Sequence, residues 1–115
     1  MMTNDTIDQD AGDTLAAVAR LLRHAAVRAW EQAEAEGLRS DLHLLGLGIH
    51  TASCQAVAML PVDVDLEGHP PAQDDIAQLL RSAEELTRAI PLLDQTAGIS
   101  PLVVALCDLV REATP

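Results

Sequence analysis

An all-α fold, a small four-helix antiparallel bundle, follows from three features of this 115-residue chain. Apolar residues recur at three–four spacing in four separate stretches. Residues that stop helices fall between those stretches, at Gly37, Pro61, Pro91 and Gly98. Hydrophobic residues make up 49% of the chain although Trp30 is its only aromatic, so the core has to be built from Leu, Val, Ala and Ile. A chain of this size forms one domain. The expected division is a disordered acidic tail over 1–11, carrying Asp5, Asp8 and Asp10, and a single helical-bundle domain over 12–115.

The first helix is expected over about 13–36. Leu15, Val18, Ala19, Leu22, Ala26, Ala29, Trp30 and Ala33 share its inner side, Asp13 or Thr14 caps its start and Gly37 ends it. The run of alanines allows a neighbouring helix to come close, and Trp30 is placed as a plug at one end of the core. The second helix opens at Ser40-Asp41 and runs to about Leu60 before Pro61. One of its faces carries Leu42, Leu45, Ile49, Ala52, Ala56 and Met59; a second carries His43, Leu47, His50, Cys54, Val57 and Ala58. A helix apolar nearly all round is enclosed by protein on both sides. Gly46 and Gly48 lower its helix propensity by about 1 kcal/mol each, which marks a point where helices cross closely.

An acidic loop, PVDVDLEGHPPA over 61–72, separates helices 2 and 3. Helical spacing returns with Ile76, Leu79, Leu80, Ala83, Leu86, Ile90 and Leu93, and Asp74 and Asp75 suit the positive N-terminal end. Pro91 kinks or ends this third helix. The fourth runs over about 101–113, with Ser100 as N-cap, Pro101 as first residue and Leu102, Leu106 and Leu109 facing inward. Val103, Val104 and Val110 widen its apolar face.

Charge narrows the function classes. Eighteen acids oppose seven Arg and no Lys, a net charge of −11, and the tail is not its source, since the acids remain in excess without it. Nucleic acid is excluded as a partner, because phosphate binding needs a basic footprint. No long apolar run points to a membrane, and no basic-then-apolar start points to a secretion signal, so the default location is the cytoplasm. The absence of Lys beside many Ala suggests a GC-rich bacterial genome.

Three constellations could carry chemistry. His50 and Cys54 stand at i, i+4, a workable spacing for two metal ligands, while His43 lies two turns away and cannot share the same ion. Otherwise the two cysteines are buried reduced thiols. Arg20 and Arg28, with His24 between them, form a basic stripe suited to an anion contact; paired locally, for instance Arg28 with Glu31, they are instead a solvated face. Asp63, Asp65, Glu67 and Gly68 resemble the start of an EF-hand calcium loop. However, Glu67 stands where Asp or Asn is usual, Pro70 occupies the eighth position and Asp74 the twelfth, so a solvated acidic loop is expected. Enzyme signatures are missing: there is no nucleophile elbow, no phosphate loop and no E-x-x-H pair.

The functional expectation is a non-enzymatic helical interaction module without a cofactor, acting as a homodimer or as the small acidic partner of another protein. Its contact residues are His43, Leu47, Val57, Val103, Val104 and Val110. The alternative is a small-ligand or metal sensor using the His43/His50/Cys54 face.

Overall fold

The computed structural model describes residues 2–37, 41–60, 75–90 and 99–114, with side chains over 12–37, 41–60, 75–90 and 101–114. Four helices account for these residues, α1 (Met2–Glu36), α2 (Leu42–Ala58), α3 (Ile76–Arg88) and α4 (Ile99–Ala113), and no strand occurs among them. The all-α bundle is therefore as the spacing predicts. The Pro91 kink, the acidic loop and the calcium-like string lie outside the described residues.

Local chemistry sets most boundaries. Gly37 adopts φ +104° and its N–H donates to Ala33 O at 2.9 Å, the glycine stop expected for α1. The helix begins at Met2 rather than at the Asp13/Thr14 cap. Asp75 caps α3 from an extended conformation, accepting from Gln78 N at 3.1 Å. Asp75→Ala is expected to lower stability by about 1 kcal/mol, read as a lower urea midpoint with unchanged slope. α4 starts at Ile99, so Ser100 and Pro101 lie inside its first turn instead of capping it. Proline is tolerated there because first-turn N–H groups have no intrahelical partner.

The predicted inner faces are largely the observed core. Leu15, Val18, Ala19, Leu22, Ala26, Ala29 and Ala33 of α1 are buried. They pack with Leu45, Ile49, Ala52 and Ala56 of α2, Leu79, Leu80 and Ala83 of α3, and Leu102, Leu106 and Leu109 of α4. Thr87 is also fully buried, which hydropathy does not anticipate. Its Oγ1 donates to Ala83 O at 2.7 Å, so the hydroxyl is satisfied within its own helix. Trp30 is not a core plug: it is 38% exposed at the α1–α2 surface. Both glycines of α2 are crossing points. A Cβ on Gly46 would lie 2.6 Å from Trp30 Nε1, and one on Gly48 would lie 2.9 Å from Leu109 Cδ2. The indole therefore rests on the α2 backbone instead of entering the core.

Helix directions follow from contacts between them. Glu36, Asp41 and Glu112 line one cleft, which puts the ends of α1 and α4 beside the start of α2. Arg81 Nη2 donates to Thr114 Oγ1 and Arg88 Nη2 to Cys107 Sγ, so α3 advances as α4 recedes. α1 packs on α2 and α3, and α4 packs on the same two helices. Every neighbouring pair is thus antiparallel, and the order along the chain is up-down-down-up. The end of α2 and the start of α3 lie at opposite ends of the bundle. α2 spans about 25 Å at 1.5 Å per residue, so a distance of that order separates the two helix ends. The 17 residues between Ala58 and Ile76 can reach about 55 Å when extended.

Candidate functional site

The outer face of α2 is the unusual surface of this protein. All 17 residues of α2, LHLLGLGIHTASCQAVA, are uncharged at side-chain level apart from the titratable histidines, in a chain with 25 Asp, Glu and Arg residues. Burial takes only one side of it: Leu45, Gly46, Ile49, Ala52, Ser53 and Ala56. The opposite side faces outward, with Leu44 at 74% and Leu47 at 56% exposure, and with Cys54, Val57 and Ala58 also exposed. The second apolar face read from the sequence therefore exists, but nothing in this chain's described residues encloses it.

Two shallow grooves flank this face. Toward α1, Val27 and Trp30 meet His50, Cys54 and Val57, with Arg23 at the far end. Toward α4, Leu44 and Leu47 meet Ala105, Asp108 and Leu109. The α1 groove is the more apolar. Trp30 and His50 form its floor, their rings 5.6 Å apart and tilted by 44°. An exposed aromatic beside exposed Val and Leu is the composition of a contact surface core.

The other sequence-derived sites fare differently. His50 Nε2 and Cys54 Sγ lie 3.7 Å apart on the exposed face, so Cys54 is not the buried thiol expected of it. The periodicity could not decide this, because it assigned both faces of α2 to protein. His43 is separate: its Nε2 is 3.3 Å from Gly37 O, a contact in which the ring N–H donates. Cys107 sits between α3 and α4, holding Arg88 at 3.0 Å. That hydrogen bond, with the nearby Glu84 carboxylate 3.3 Å away, raises the Arg88 pKa above its ordinary value. Among the described residues no three His, Cys, Asp or Glu side chains are grouped to hold a metal ion. His50 and Cys54 therefore supply two donors, short of the three or four a zinc site uses.

Arg20 and Arg28 are half-buried, and Arg28 Nη1 pairs with Glu31 at 3.5 Å along the same helix. Arg23 is the exposed arginine of that row. On α4, Val103 and Val110 pack partly against the core, while Val104 is 61% exposed. Of the six contact residues expected, Leu47, Val57 and Val104 are thus open at the surface. Leu44, Val27 and Trp30 join them without having been predicted. No helix among the described residues is long and apolar enough to cross a membrane.

Comparison with protein-family models, curated proteins and solved structures finds no match for this chain.

Proposed function

We propose that this protein is a non-enzymatic helical interaction module that docks on protein through the outer face of α2 and its groove with α1. One observation carries the reading: α2 has no Asp, Glu, Lys or Arg, yet it exposes Leu44, Leu47 and Val57 in a chain of net charge −11. Exposed leucines scattered singly need no explanation, but a contiguous uncharged face on an otherwise charged surface does. Docking centred on α2 places no Asp, Glu, Lys or Arg of that helix in the contact, so little charge has to be desolvated. The acidic surroundings act as a filter, repelling nucleic acid and other acidic surfaces.

Light scattering over a range of concentrations, paired with binding of an apolar dye, tests this reading. Association, or dye binding by the monomer, is expected, and Leu44→Asp with Leu47→Asp should abolish whichever is seen. A strict monomer that binds no dye would remove the proposal. The His50/Cys54 metal reading makes the opposite prediction for a chelator, which should then lower the melting temperature. No such shift is expected here, since the pair lacks further donors among the described residues.

A further inference from the structure

The interaction surface is self-complementary, and we infer that its occupant is a second copy of this chain docked antiparallel about a two-fold axis near His50. This rests on the reading of the α2 face just given and goes further by naming the partner and its register.

The observation is the order of side chains along the exposed edge of α1. Arg23, Val27, Trp30 and Glu34 stand at i, i+4, i+7 and i+11 and are all exposed. On a helix those steps fall within about 60° of one another, so the four form one stripe about 16 Å long. Its positive end is Arg23, its negative end is Glu34, and its middle is apolar. Among the described residues neither Arg23 nor Glu34 has an ion-pair partner. The stripe is also symmetric: turned end over end onto a copy of itself, it sets Arg23 against Glu34 at both ends and Val27 against Trp30 in between.

α2 obeys the same axis. The stripe is centred between Arg28 and Ala29, and the contact of Trp30 with His50 fixes the corresponding level on α2 close to His50. About that level the outward residues Leu47 and Cys54 exchange places, again apolar against apolar. The two helices thus place the axis at a common level, as a closed two-fold contact requires. A face of two helices is at the small end of interface sizes, so a reversible dimer is expected and not an obligate one. The −11 of each copy is screened beyond about 8 Å at physiological ionic strength, while the Arg23–Glu34 pairs are in direct contact.

Sedimentation equilibrium at physiological salt tests the register through charge swaps. The wild-type chain should dimerise reversibly. Arg23→Glu and Glu34→Arg should each weaken the dimer by roughly ten-fold or more, through lost pairs and new like-charge contacts. The double swap should restore it. Glu34→Arg is the discriminating variant, because it makes the chain less negative. General repulsion between acidic chains would then tighten the dimer, whereas the proposed register loosens it. Circular dichroism confirms that each exposed substitution leaves the helices intact. A dimer indifferent to both swaps but broken by Leu47→Asp would overturn the register and leave the α2 docking face standing. A chain that stays monomeric to millimolar concentration overturns self-docking outright; dye binding by that monomer would then preserve the interaction reading for a different partner.

Discussion

Leu22→Ala is expected to cost about 3–4 kcal/mol of unfolding free energy, the middle of the range measured for buried Leu→Ala changes. Leu22 is fully buried on the inner face of α1, the helix that packs on both α2 and α3. The chain has no Phe or Tyr, so its core volume is divided among aliphatic side chains and each large one carries a larger share. The neighbouring α1 positions are already small: Ala19, Ala25, Ala26 and Ala29 are at most 3% exposed. Helices in contact through alanine have little room to move closer, so the space left by Leu22 stays open, and the cavity term adds to the lost transfer energy. Against a total stability of about 5–15 kcal/mol for a domain, such a loss should move the urea midpoint strongly downward. A loss under about 1 kcal/mol would show that the bundle collapses around the site. Val104→Ala, at an exposed position of α4, serves as the control and should stay within about 0.5 kcal/mol of wild type.

Gly46→Ala should destabilise the bundle although alanine is the better helix former. A Cβ there would lie 2.6 and 2.8 Å from Nε1 and Cδ1 of Trp30. Overpacking of this kind costs about 1–3 kcal/mol, against about 1 kcal/mol gained in helix propensity. Either the indole leaves its seat on α2 or α1 and α2 separate. Trp30 is the only Trp, so its fluorescence reports the event directly, as a red shift in native emission accompanying the lower urea midpoint. Gly48→Ala provides the contrast. Its obstacle is the tip of a flexible side chain, Leu109 Cδ2 at 2.9 Å, and a rotamer change can absorb it, so the stability change should be small. A double-mutant cycle makes the assignment: in a Trp30→Ala background, Gly46→Ala should become neutral or stabilising. If it remains equally harmful there, the indole contact is not the cause.

The sequence legibility of this fold rests on periodicity. Inward positions of α1, α3 and α4 form one face each, and apart from Trp30 and Thr87 their burial follows from the pattern, because a single apolar stripe has only one favourable destination. α2 was harder. Its two apolar faces look alike in a linear pattern, and hydropathy could not say which one the bundle uses. The pattern therefore predicts a buried Cys54, which lies outside, and does not single out Leu44, which is exposed. Trp30 was misplaced for a related reason: its size argues for the core, but the absent side chain of Gly46 provides a seat at the surface that only a close approach of two helices creates. The stripe of Arg23, Val27, Trp30 and Glu34 was present in the sequence throughout. It carries meaning only once α1 is known to leave that edge uncovered beside α2.

By itself the sequence determined the helical class, the number of helices, the stops at Gly37 and after α2, the acids at the start of α3 and nearly all of the core, because these depend on residues a few positions apart. It also determined that α2 carries no Asp, Glu, Lys or Arg in a strongly acidic chain. The tertiary structure alone decided the up-down-down-up order, the seating of Trp30 on Gly46 and of Leu109 on Gly48, and which face of α2 stays in water. Those outcomes depend on contacts between residues far apart in sequence, where the path of the connections and the distance between helix backbones select among arrangements that bury similar apolar area.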